Sequence, residues 1–106
     1  MKLQTDKPVA ARQVCLDMAD IFKHHLAGKR IGEFINRAYV ASNLCTSARL
    51  TYAKVPLYAH LTSPPGVDTI KCLCRRLRKA HYNVPGLKKL ERQFYIALKK
   101  GDLYEI

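Results

Sequence analysis

The chain has 106 residues and a formal net charge of +11, from 19 Lys and Arg against 8 Asp and Glu. With 48% hydrophobic and 25% charged residues it is too apolar for disorder, and it is long enough to fold as one domain, residues 1–106, around a modest core. No run approaches the ~20 apolar residues of a membrane span, and residues 1–15, with Lys2, Asp6, Lys7 and Arg12, lack the apolar run of a secretory signal; a cytoplasmic or nucleoid-associated protein with reduced cysteines is expected.

Thr5 and Asp6 ahead of Pro8 mark a helix start: they offer an oxygen to free amides, and proline is tolerated in a first turn. Val14, Met18, Ile21, Phe22 and Leu26 then recur at helical spacing, with Arg12, Asp17, Asp20, Lys23 and His24 on the other side and Gly28 as the stop. His24 and His25 diverge on a helix, so one should pack and the other face water. A second stripe, Ile31, Phe34, Ile35, Ala38, Ala41 and Cys45, predicts a helix from about residue 30. It is expected to break near Asn43 and restart with Thr46 or Ser47 as cap, against the competing reading of one helix running to Lys54. Pro56 closes the stretch, and a short helix through Leu57 and Leu61 follows.

Pro64-Pro65-Gly66 forbids helix and delivers the chain into the stretch IKCLCRRLRKAHY. Val67, Ile70, Leu73, Cys74 and Leu77 are the apolar stripe of a helix over residues 67–82. Lys71, Arg75, Arg78 and Tyr82 lie on its other side, flanked by Arg76 and Lys79, with Asp68 placed to cap or orient it. Asn83-Val84-Pro85-Gly86 is the next break, and Leu87, Leu90, Phe94, Ala97 and Leu98 define a last helix ended by Gly101. The expected fold is all-α, a compact bundle of four to five short helices that could contain a helix-turn-helix-like unit. Sheet content should be minor, with RLTYAKV, residues 49–55, the one candidate strand.

The charge is unevenly spread. Residues 34–90 carry ten basic side chains against Asp68 alone, whereas residues 91–106 balance three of each sign. Acids are missing at the i+4 positions that usually neutralise a basic helix face, so the cluster repels itself in a way a partner could relieve. Arginine outnumbers lysine within it, which suits bidentate contact with phosphate.

For catalysis the sequence holds no paired carboxylates, phosphate-cradling glycine loop or serine elbow, and neither enzyme activity nor a cofactor is expected. Cys72 and Cys74 have basic neighbours that favour a thiolate, but Cys74 lies on the apolar stripe and reads as packing. A zinc site from Cys45, Cys72, Cys74 and His81 is disfavoured, because Cys-x-Cys within a helix points its thiols about 200° apart. No metal is expected.

What remains is a basic helix, which points to a non-catalytic nucleic-acid-binding protein, DNA slightly favoured over RNA. Lys71, Arg75, Arg76, Arg78 and Lys79 make the main contact, extended by Lys88, Lys89, Arg92 and Arg49. In the form of a small transcriptional regulator, residues 67–82 are a recognition helix with Thr69, Lys71 and Arg75 nearest base edges and Arg78, Lys79 and Arg49 on phosphates. In a second form the protein is a homo-oligomer or a helical subunit of a larger nucleoprotein (RNA-guided or similar) assembly gripping the backbone, with Tyr39, Tyr52, Tyr58, Tyr82 and Tyr95 as stacking or interface residues. From another class, an adaptor or inhibitor could set the same face on an acidic protein. No membrane partner is expected, since the basic helix buries Cys and Leu rather than bulky aromatics.

Overall fold

The computed structural model describes residues 11–45, 64–81 and 86–106. Among them lie four helices and a two-stranded sheet: α1 (Ala11–His25), β1 (Leu26–Gly28), α2 (Ile31–Leu44), α3 (Val67–His81), α4 (Leu87–Lys100) and β2 (Leu103–Glu105). The fold is a small all-α bundle in which α1 packs chiefly against α2, with α3 and α4 completing the core. The candidate start at Thr5, Asp6 and Pro8, the restart after Thr46, the helix through Leu57 and Leu61 and the candidate strand 49–55 lie outside the described residues.

The apolar stripes close on one cluster. Val14, Met18, Ile21 and Phe22 from α1, Phe34, Ala38 and Ala41 from α2, Ile70, Leu73, Cys74 and Leu77 from α3, and Leu87, Leu90 and Phe94 from α4 are all buried in it. At its centre three phenylalanines from three helices meet. The Phe22 centroid lies 5.7 Å from Phe34 and 5.5 Å from Phe94, and Phe34 lies 6.5 Å from Phe94, in tilted and edge-on geometries that aromatic quadrupoles favour.

The helix ends follow local chemistry. α2 stops at Leu44, with Cys45 as its C-cap, so the break expected near Asn43 occurs. At its start, Arg30 takes a left-handed conformation (φ 63°) and both Arg30 and Arg37 grip the Glu33 carboxylate. Hydrogen bonds from Arg30 first and Arg37 second hold that carboxyl down at about 2. α4 ends in a Schellman turn: Gly101, at φ 78°, donates to the Leu98 carbonyl, and the Asp102 N–H reaches back to Ala97.

Three expectations need correction. Leu26 is not the last turn of the first helix; it is buried from β1, which pairs antiparallel with β2 in the register Leu26↔Glu105, Ala27↔Tyr104, Gly28↔Leu103. The pairing satisfies backbone groups that the helix end would leave free, and periodicity within one segment carries no sign of a partner so distant in the chain. Asp17 is buried rather than on the polar side, and its Oδ1 accepts from Gln13 Nε2 at 3.1 Å. Gly28 is more than a helix stop. Its φ of 132° disfavours a side chain, and a Cβ there would sit 2.0 Å from the Asp102 carbonyl oxygen. Gly28→Ala should therefore cost roughly 3 kcal/mol in urea denaturation, because backbone strain and a backbone clash add at one position; a loss below about 0.5 kcal/mol would show that the sheet does not constrain this residue.

Candidate nucleic-acid interface

α3 and α4 lie side by side and antiparallel, as two cross-helix contacts establish: Lys71 near the start of α3 meets Tyr95 late in α4, and Arg78 near the end of α3 meets Glu91 earlier in α4. The buried stripe of each helix turns inward, so their outer ridges form one surface. Lys71, Arg75 and Lys79 follow one another at single-turn spacing on α3, and Arg75 and Lys79 are exposed. On α4, Lys88, Arg92, Tyr95 and Lys99 follow at steps of four, three and four, all exposed and adjoining the side that faces α3.

Together the two helices carry ten cations, Lys71, Arg75, Arg76, Arg78, Lys79, Lys88, Lys89, Arg92, Lys99 and Lys100, against Asp68 and Glu91. One acid is already taken: the Arg78 guanidinium bonds the Glu91 carboxylate, which is buried. α2 differs, since its Arg30 and Arg37 neighbours share Glu33. The net positive charge of the described residues is thus concentrated on one pair of helices.

Most of the sequence-predicted residues come together here. Arg75, Lys79, Lys88 and Arg92 line the two ridges, and Lys71 is half-buried at their seam with its Nζ 5.8 Å from the Tyr95 ring centroid. Lys89 is exposed and lies about 100° around α4 from Lys88 and about 60° from Arg92, on the edge of the ridge away from α3. Arg76 is carried by α3, and Arg49 lies outside the described residues. Lys99 falls in residues 91–106, whose charges balance; its seven-residue step from Arg92 is the sequence signal that places it on the same ridge.

Arg78 has a second role that a cation on a predicted wet face would not have. Without it the Glu91 carboxylate would sit nearly desolvated beside an apolar core, so Arg78→Ala should lower stability by roughly 1–2 kcal/mol, discounted because the arginine is itself half exposed. Adding Glu91→Gln should recover part of that loss. A denaturation midpoint unmoved by Arg78→Ala would mean that the pair contributes nothing.

The start of α3 differs from the expectation. Glu105, brought by β2, accepts from the Val67 N–H through Oε1 at 2.8 Å and supplies the anionic cap, while Asp68 is exposed in the first turn. Thr69, expected near base edges, is buried because the helix turns that side onto the core.

The sulfur chemistry is that of a core. Cys15, Cys45 and Cys74 are buried free thiols, and Cys74 Sγ lies 3.8 Å from Met18 Sδ. Burial, with a smaller push from Glu91, raises the Cys74 thiol to about 12, far from nucleophile territory at neutral pH. Cys72 is half exposed on the basic helix. Among the described residues no three His, Cys, Asp or Glu side chains are arranged to hold a metal ion, and no helix is long and apolar enough to cross a membrane.

Comparison with protein-family models, with curated proteins and with solved structures finds no match to this chain, so its residues and geometry are the basis for a functional reading.

Proposed function

We propose that the protein binds nucleic acid without catalysis, gripping the phosphate backbone with the joined outer ridges of α3 and α4. The observation that carries this reading is the charge of that surface: exposed Arg75, Lys79, Lys88, Arg92 and Lys99 and half-buried Lys71 line the joined ridges of two helices that carry two acids, one of them already paired. Such a face neutralises phosphates and releases counterions, a driving force that needs no sequence readout. A helix of α4's 14 residues is about 21 Å long, the run of roughly six nucleotide steps at 3.4 Å each. Arg75, Lys79, Lys88 and Arg92 are the principal contacts, with Lys71 and Lys99 at the margins.

The backbone-gripping form is better supported than a regulator that reads bases. A recognition helix brings its N-terminal residues to base edges. Here that end presents Asp68 and Glu105, with Thr69 buried. DNA and RNA share the phosphate chemistry and both remain ligands of the proposal.

The test is to titrate the purified protein with labelled duplex DNA, single-stranded DNA and RNA of equal length between low and physiological salt. Binding to at least one that persists at physiological salt, with a log-log salt slope near 0.9 per duplex phosphate or 0.7 per single-strand phosphate, is expected. Weak binding that vanishes with salt for all three would refute nucleic acid and leave an acidic protein as the partner of this face.

A further inference from the structure

Tyr95 is exposed in the middle of the cationic ridge of α4, one turn from both Arg92 and Lys99. Exposed tyrosines are common and alone mean little; the other two among the described residues, Tyr39 and Tyr104, belong to α2 and β2. What sets Tyr95 apart is its setting. Its ring centroid lies 6.1 Å from that of its chain neighbour, the core residue Phe94, and Lys71 Nζ stands 5.8 Å from its centroid. That distance is at the outer limit of a cation–π contact, and the ammonium sits on a flexible stem that can move from ring to phosphate at small cost.

An exposed aromatic among cations adds nothing to the binding of duplex, whose base faces are already stacked on one another. It adds a great deal to an unpaired strand, because every base offers a π-face and stacking tolerates any sequence. We infer that the α3–α4 face takes single-stranded rather than duplex nucleic acid, one unpaired base lying on the Tyr95 ring while Arg92, Lys88 and Lys99 on one side and Lys71 and Arg75 on the other hold the flanking phosphates. This rests on the reading of that face as a nucleic-acid surface and adds the strandedness of its ligand.

The experiment measures binding of the full chain, and of its Tyr95→Ala and Tyr95→Phe variants, to four probes of equal phosphate count. These are single-stranded DNA, single-stranded RNA, duplex DNA and a single strand of abasic sugar-phosphate. The wild-type protein should prefer both base-bearing single strands to duplex and abasic probes. Tyr95→Ala should lose roughly five- to a hundredfold in affinity for those two with an unchanged salt slope, and Tyr95→Phe should retain it. Circular dichroism should show Tyr95→Ala folded, since the side chain is exposed. A difference between the DNA and RNA arms would assign the sugar that is preferred. If all four probes bind equally and Tyr95→Ala binds as wild type, stacking is refuted while phosphate binding stands. If none binds, both readings fail together.

Discussion

Phe22→Ala should unfold the protein or come close to it. The ring is fully buried and touches Phe34 and Phe94 at centroid distances of 5.7 and 5.5 Å, so it joins α1 to α2 and α4 at once. Removing it forfeits both the transfer free energy of the ring and the contacts of a cavity that three packed helices cannot collapse into, a cost of about 3–5 kcal/mol. Against a total stability of about 5–15 kcal/mol for a domain of this size, that is between about a fifth and all of the margin. The melting temperature should fall by roughly 15–30 °C. Phe22→Leu, which keeps much of the volume, should cost less than half as much. A shift of only a few degrees for Phe22→Ala would mean that the aromatic cluster is not the centre of the fold.

The second large effect concerns binding. Reversing Arg75, Lys79 and Arg92 together to glutamate should abolish measurable nucleic-acid affinity at physiological salt, a loss of at least ~100-fold, and should flatten the salt slope by about 0.7 for each single-strand phosphate contact removed, or about 0.9 for each duplex one. All three side chains are exposed, so the melting temperature should move little. Arg78 is left out on purpose, because reversing it would set two carboxylates against each other at Glu91 and confuse folding with binding. Reversal of Lys23 and Lys29, exposed residues of α1 and of the turn before α2, changes net charge too but should reduce affinity far less. Equal losses in the two variants would mean that overall charge, and not this face, attracts the ligand.

Where the sequence was legible, the signal was local. The starts of α3 and α4 follow from Pro65-Gly66 and Gly86, the end of α4 from Gly101, and the buried stripes from period alone, because cap chemistry and side-chain spacing act within a turn or two. What stayed hidden depends on partners far along the chain. Gly28 reads as a helix stop, yet it is required by the Asp102 carbonyl against it, and Leu26 looks helical until Glu105 is known to pair with it. The cap of α3 comes from Glu105 rather than from neighbouring Asp68 for the same reason. At the candidate site the α3 cations were evident from spacing. That Glu91 neutralises one of them depended on the antiparallel docking of two helices.

Contact of nucleic acid with the outer faces of α3 and α4 is tested most directly by an amide chemical-shift titration of the labelled protein with a short single-stranded oligonucleotide. Shifts are expected to concentrate on Lys71 to Lys79 and on Lys88 to Lys99, leaving α1 and the start of α2 unmoved. Shifts confined to α1 and α2, or absent at concentrations where the oligonucleotide binds, would contradict contact at this face.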